Sequence, residues 1–276
     1  MVADVLAPLP AQHQVLEGDC QEVLPTLPSG SLQCVVTSVP YWRQRDYGHP
    51  AQIGMEDTPE AWLASLVDVF REVRRVCDER AALWLNVGDK YQGSGYGWEG
   101  RSAVGGRHRH WRGRTGLGLP RATRGYKARD LTLAPLLLAE ALRADGWYLR
   151  QVVIWAKQRP NEPVRPIRPS VSHEYVLLLG TGESSRVDNP GEDWWATSVW
   201  WVPPEPSEEH PATMPRELAR RCIISSTQTG DVVFDPFLGI GTTASVALEL
   251  GRGSLGIELV PEYAQRARAH LLEGVA

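Results

Sequence analysis

The sequence predicts an α/β protein on a doubly wound, Rossmann-like sheet of seven strands, and three observations point to it. Short apolar runs alternate with stretches whose apolar residues recur at three- and four-residue steps, the pattern of strands separated by helices. Near the C-terminus, Asp231-Val-Val-Phe-Asp235 runs into Pro236-Phe-Leu-Gly239-Ile-Gly241-Thr-Thr-Ala244 and an Ala/Leu/Glu stretch to Leu250, which reads as strand, glycine turn and helix. Near the N-terminus, Thr37-Ser-Val-Pro-Tyr-Trp42 follows the apolar run Gln33-Cys-Val-Val36. A hydroxyl, a backbone carbonyl and an aromatic ring therefore stand where a buried strand ends, and in open α/β sheets ligands bind at the carboxyl ends of strands.

In chain order the strand candidates are Gln14 to Glu17, Gln33 to Thr37, Ala81 to Val87, Tyr148 to Ala156, Tyr175 to Leu179, Val232 to Asp235 and Ser254 to Ile257. Helical periodicity covers Pro59 to Val76, where Trp62, Leu63, Leu66, Phe70, Val73 and Val76 share one face and a proline occupies the first turn. Leu131 to Ala144, Met214 to Ser225, Thr243 to Leu250 and Pro261 to Leu272 follow the same rule. The glycine-turn unit lies near the C-terminus, so the rest of its sheet comes from earlier residues. The strand ahead of Asp19 is expected to dock beside the strand that ends in Glu258, bringing the chain ends together. A length of 276 residues suits one domain over 1–276. Tyr91 to Tyr126, Gln158 to Ser172 and Thr181 to His210 have neither period; 91–126 and 158–210 are read as insertions, long enough to be functional. The pairs Trp194-Trp195 and Trp200-Trp201 are read as packing anchors.

Net charge is −4, yet from Arg101 to Arg129 there are nine Lys and Arg residues and no acid. Such a stripe suits a polyanion. Cys20, Cys34, Cys77 and Cys222 form no Cys-x-x-Cys pair and the histidines have no ligand spacing, so neither zinc nor a disulfide framework is expected. No run approaches the roughly 20 apolar residues that span a bilayer, and a cytoplasmic location with no membrane partner is expected.

At the glycine turn, Gly239 and Gly241 let backbone N–H groups approach a ligand, and the helix beginning near Thr242 favours an anionic group. Glu258, at the end of the next strand, can accept hydrogen bonds from both hydroxyls of a ribose. Alone, Gly239-x-Gly241-x-x-Ala244 also satisfies the loose NAD fingerprint, so an NAD-dependent oxidoreductase stays open on these residues.

Together the two segments resemble the β-group, circularly permuted DNA amino-methyltransferases. In that group a catalytic (Asp/Asn/Ser)-Pro-Pro-(Tyr/Phe/Trp) segment precedes a cofactor segment Asp-Pro-Phe-x-Gly-x-Gly-Thr-Thr. The second matches at Asp235, Pro236, Phe237, Gly239, Gly241, Thr242 and Thr243; the first matches at Ser38, Pro40 and Tyr41, with Val39 replacing a proline. Gly18-Asp19 resembles the family's adenine-contacting aspartate. Leu83 to Asp89 and Gly146 to Lys157 resemble its central strands, and His210 to Pro215 resembles the segment beside the methionine end of the cofactor. The resemblance implies S-adenosyl-L-methionine as cofactor, bound by Asp19, Pro215, Asp235, Pro236, Phe237, Gly239, Gly241, Thr242 and Glu258. It also implies double-stranded DNA as substrate, in a restriction-modification setting with a cognate endonuclease as partner, the enzyme being monomer or homodimer.

An exocyclic amine is a poor nucleophile because its lone pair is delocalised into the ring. The Ser38 hydroxyl and the Val39 carbonyl are two acceptors for its hydrogens, which would localise that pair. Pro40 holds Val39 extended, and the Tyr41 ring offers a face to a base flipped out of the duplex. DNA contacts are expected from Arg107, Arg109, Arg112, Arg114, Lys157, Arg165 and Arg168. Serine at position 38 is the family's commoner signature for N4 of cytosine, with N6 of adenine as the alternative; a DNA-binding protein inactivated by Val39 is a third reading.

Overall fold

The computed structural model describes residues 13–92, 114–115, 126–127, 129–158, 168–205 and 214–275. Its strands are β1 (His13–Glu17), β2 (Leu32–Ser38), β3 (Arg45–Asp46), β4 (Cys77–Val87), β5 (Arg114–Thr115), β6 (Tyr148–Ala156), β7 (His173–Gly180), β8 (Val199–Trp201), β9 (Val232–Asp235) and β10 (Gly253–Glu258). Its α-helices are α1 (Cys20–Val23), α2 (Pro59–Val76), α3 (Ala134–Ala144), α4 (Arg216–Ile224), α5 (Thr242–Glu249) and α6 (Pro261–Val275). Eight strands form one sheet in the order β1-β10-β9-β2-β4-β7-β6-β8, while β3 and β5 make a separate antiparallel ribbon.

Neighbouring strands from β1 to β4 run parallel. β7 reverses direction, antiparallel to both β4 and β6. The first strand pairs with the last, Glu17 opposite Glu258, as expected from a glycine-turn unit that lacks a neighbour of its own. Arg268 of α6 ties this corner, donating to the Val15 carbonyl at 3.0 Å.

Side chains alternate across a strand, and both faces of this sheet are covered. Ala81, Leu83, Leu85 and Val87 of β4 pack with α2 and α3, whereas Ala82 and Trp84 face α4 and α5. Each fully buried Leu or Val contributes roughly 1.5–3 kcal/mol of transfer free energy. α2 keeps the limits its periodicity predicts: Thr58 caps it by accepting from the Ala61 N–H at 3.1 Å, and Pro59 sits where a missing N–H does no harm.

Three expectations change. The sheet has eight strands because the segment 181–210, read as irregular, supplies β8 as an edge strand on β6; three residues are too few to display a period. Within it, Trp200 packs inward at 2 % exposure while Trp201 points out at 66 %, so Trp201 is no packing anchor. α3 starts at Ala134 rather than at Leu131, because Leu131 bridges Tyr91 and Leu133 turns left-handed at φ 55° before the first helical residue.

Candidate active site

Because β1, β10, β9, β2 and β4 are parallel, their carboxyl ends meet at one edge, and there a cavity of about 960 Å³ opens. Ser38, Val39, Pro40 and Tyr41 line one side; Asp19, Asp235, Pro236, Phe237, Gly239, Thr242 and Glu258 line the other. Segments about two hundred residues apart are joined where the Thr37 hydroxyl donates to Asp235 Oδ1 at 2.6 Å.

On the Ser38 side the polar groups are locked together. Ser38 Oγ donates to Asn86 Oδ1 at 3.0 Å, and the Asn86 amide nitrogen donates to Glu174 Oε2 and to the Tyr175 carbonyl, both at 3.2 Å. Two acceptors on that nitrogen fix which end of the amide faces Ser38. Tyr41 Oη lies 2.7 Å from Glu174 Oε2 and 3.1 Å from Asn86 Oδ1. Its single proton goes to the nearer and charged acceptor, the carboxylate, and burial with the Glu174 charge beside it pushes the phenol pKa well up, so the hydroxyl keeps that proton. The Ser38 hydroxyl hydrogen is thus committed inward and its lone pairs face the cavity. Val39 N donates to the Asn86 carbonyl at 3.3 Å, while the Val39 carbonyl accepts no hydrogen bond among the described residues. The Pro40 carbonyl takes the Trp62 indole N–H at 2.9 Å. Gly88 lets the Tyr41 ring lie against β4's exit, for a Cβ there would stand 2.7 Å from Tyr41 Cε2.

On the other side, Glu258 accepts the Gly239 N–H on Oε2 at 2.7 Å and the Val260 N–H on Oε1 at 2.8 Å. Each oxygen keeps a second lone pair. Burial raises its pKa to about 7 against those two hydrogen bonds, and burial raises Asp235 to about 6. Asp19 caps α1 through Oδ1, which accepts from Gln21 N at 2.9 Å; Oδ2 has no partner among the described residues.

Not every expected site residue faces the cavity. Gly241 does not line it: at φ 87° it packs on α6, where a Cβ would stand 2.9 Å from that of Ala267. Pro215 caps α4, and its neighbour Met214 is the lining residue. Lys157, expected among the DNA contacts, is 6 % exposed and lines the cavity, its Nζ 2.5 Å from Glu174 Oε1. Lying in the residue after β6, it is drawn inward by the Glu174 carboxylate and by the Trp155 ring, whose centroid lies 4.3 Å away. Arg168 stacks on Tyr91 at 3.6 Å. Arg114 contributes backbone to β5, and Arg107, Arg109, Arg112 and Arg165 lie outside the described residues.

Asn86 and Glu174 were not singled out from sequence. An asparagine inside the apolar run Leu83 to Val87 was a usable signal; Glu174 had none, because its place depends on β7 entering the sheet from the opposite end.

Two ligands can meet in such a cavity, one against the glycine turn and Glu258, the other against Ser38, which is the layout of a group-transfer enzyme. The chain belongs to the DNA methylase family: the N6_N4_Mtase family model, described as DNA methylase, matches residues 32–269. It is 40 % identical over 273 residues to type II methyltransferase M.SmaI of Serratia marcescens, covering 94 % of this chain and 90 % of that one. To type II methyltransferase M.Cfr9I of Citrobacter freundii it is 39 % identical over 258 residues, covering 90 % and 84 %. Among solved structures, TTHA0409 of Thermus thermophilus, complexed with S-adenosyl-L-methionine, aligns with a TM-score of 0.68 at 28 % identity, covering 95 % and 94 %. PvuII DNA methyltransferase aligns at 0.69 with 17 % identity, covering 95 % and 88 %, a likeness of fold. Membership in this family removes the oxidoreductase reading of the glycine turn.

Proposed function

We propose that this DNA methyltransferase transfers a methyl group from S-adenosyl-L-methionine to N4 of a cytosine flipped out of duplex DNA at a specific site. The observation that carries this reading is the pairing of two cavity-facing acceptors, the Ser38 hydroxyl and the Val39 carbonyl, with a nucleoside-binding wall at Glu258. Serine at position 38 favours cytosine.

The residues fit the cofactor. Glu258 retains one lone pair on each oxygen, which suits a vicinal diol; Asp19 Oδ2 is open to a base amine; Phe237 and Tyr263 supply apolar walls. When bound, S-adenosyl-L-methionine supplies an electrophilic methyl on a sulfonium. Ser38 and Val39 hold the two amine hydrogens and so draw the nitrogen lone pair out of conjugation, a positioning effect that is lost if either acceptor moves by an ångström. Asn86 keeps the Ser38 hydroxyl an acceptor by taking its proton-bearing side. Val39 does the work of the absent proline, since only its carbonyl is needed and Pro40 keeps it extended.

We place DNA recognition, within a single domain over 1–276, in 91–126 and in the parts of 158–210 that lie outside β7 and β8, because seven of the nine basic residues from Arg101 to Arg129 fall in the first and Arg165 and Arg168 in the second. Flipping costs a few kcal/mol, which phosphate contacts offset. Relatives named type II methyltransferases favour a restriction-modification setting with a cognate endonuclease. The deciding experiment treats unmethylated duplex DNA with enzyme and cofactor, digests it to nucleosides and identifies them by mass spectrometry. N4-methylcytosine is expected; N6-methyladenine would reassign the base, and DNA binding without methyl transfer would mark a site disabled at Val39.

A further inference from the structure

The geometry points to Lys157 as the residue that selects the base, its ammonium donating to the two ring acceptors of cytosine, N3 and O2, while Ser38 and Val39 hold the amine. The inference rests on the reading of this cavity as a base pocket. Lys157 lines the cavity together with Ser38, Tyr41 and Asn86. It is joined to Ser38 by an unbroken run of contacts, Ser38 to Asn86, Asn86 to Glu174 and Glu174 to Lys157.

An ammonium carries three donors. Glu174 Oε1 takes one at 2.5 Å, the Trp155 ring offers a face but no lone pair, and two N–H groups have no oxygen or nitrogen acceptor among the described residues. Glu174 is not available to them through its second oxygen, which holds the Tyr41 hydroxyl and the Asn86 amide. A nearly buried donor left without an acceptor is costly. A donor in that state on a cavity wall is matched by a ligand that brings acceptors.

Cytosine brings two, N3 beside its amine and O2 beyond it. Adenine brings one, N1, followed by C2–H, so the same lysine would keep one donor buried against carbon. Sites built to hydrogen-bond a substrate reject analogues that lack the partner far better than sites that only fit its shape. Lys157 thus acts on the identity of the base, and the Glu174 carboxylate aims it there while neutralising its charge.

The test compares wild type, Lys157→Met and Lys157→Arg on plasmid DNA and on the same DNA carrying 2-thio-2′-deoxycytidine, a weaker acceptor at position 2. Methylated nucleosides are quantified, and S-adenosylhomocysteine-induced melting shifts are measured in parallel. For Lys157→Met the N4-methylcytosine rate is expected to fall about tenfold or more, with the melting shift unchanged and Lys157→Arg in between. The thio substitution should slow wild type and add little to Lys157→Met. Rates for Lys157→Met within twofold of wild type, or equal slowing of both by the thio base, would overturn the assignment. If Lys157→Met loses the melting shift and so its fold, the thio substitution on wild type alone decides, and absence of slowing overturns it. Wild type that forms N6-methyladenine alone sinks the cytosine reading itself, a failure seen without any variant.

Discussion

Ser38, Asn86, Tyr41, Glu174 and Lys157 form one connected polar chain in which, apart from two N–H groups of Lys157, each side-chain proton has an assigned acceptor among the described residues. Removing the end proposed to meet the base should leave the rest standing: Ser38→Ala is expected to lower kcat by about 10²-fold or more with an unchanged S-adenosylhomocysteine melting shift, as checked by single-turnover methylation and thermal melting. Glu258 makes a second, pH-dependent prediction. Burial lifts its pKa from 4.5 to about 7. The folded chain then holds the proton more tightly than the unfolded one, and stability of the cofactor-free protein falls as pH rises from about 4.5 to 7. Accepting two hydroxyls needs the ionised form, so cofactor affinity moves the other way and weakens as pH drops below about 7. Titration calorimetry between pH 8 and pH 6 should show this, and Glu258→Gln should abolish the dependence along with most of the binding. From sequence alone, Ser38, Tyr41 and Glu258 were legible because each follows an apolar run. The burial of Lys157 was not legible for a reason of the same kind: a cationic residue in a basic neighbourhood gives no sign of facing a cavity unless the carboxylate opposite is known, and Glu174 arrives on another strand.

At the level of elements, boundaries set by local chemistry were readable and those set by distant partners were not. Pro59 and the apolar period from Trp62 to Val76 announce α2, and the outcome matches. β8 depends on pairing with β6, and the start of α3 depends on Leu131 bridging Tyr91; neither partner is visible in a local window. The glycine turn combines both cases. Its two glycines look alike in sequence, yet Gly239 presents its N–H to Glu258 while Gly241 exists for the packing of α5 on α6. Gly241→Ala should therefore destabilise the protein by about 1–3 kcal/mol, from the left-handed φ and the overlap with Ala267. Urea denaturation measures it. Gly239→Ala meets no atom within 4 Å of the new Cβ, although its φ of 57° is also left-handed, so its loss should be the smaller of the two.

For the molecule as a whole, the sheet ends, on the side proposed for the cofactor, in β1, the first strand among the described residues, which lies beside β10, the last of them. This long-range pairing was foreseeable because a strand, turn and helix unit does not make a sheet by itself and the earlier strand candidates supply its neighbours. Deleting residues 1–17 would strip β10 of its outer partner and release Arg268 from Val15. The shortened protein is expected to melt at lower temperature and to lose the S-adenosylhomocysteine-induced shift, while far-UV circular dichroism retains most of its helix signal. A shift of normal size would show that β1 is dispensable for the cofactor wall.

The contact between Thr37 and Asp235 also orders events in time. During synthesis the Ser38 turn is made before Asp235, Gly239 and Glu258, so it exists before most of the opposite wall. A nascent or prematurely terminated polypeptide therefore carries half a workshop and no tool, and fragments released by faulty translation cannot mark the genome at random.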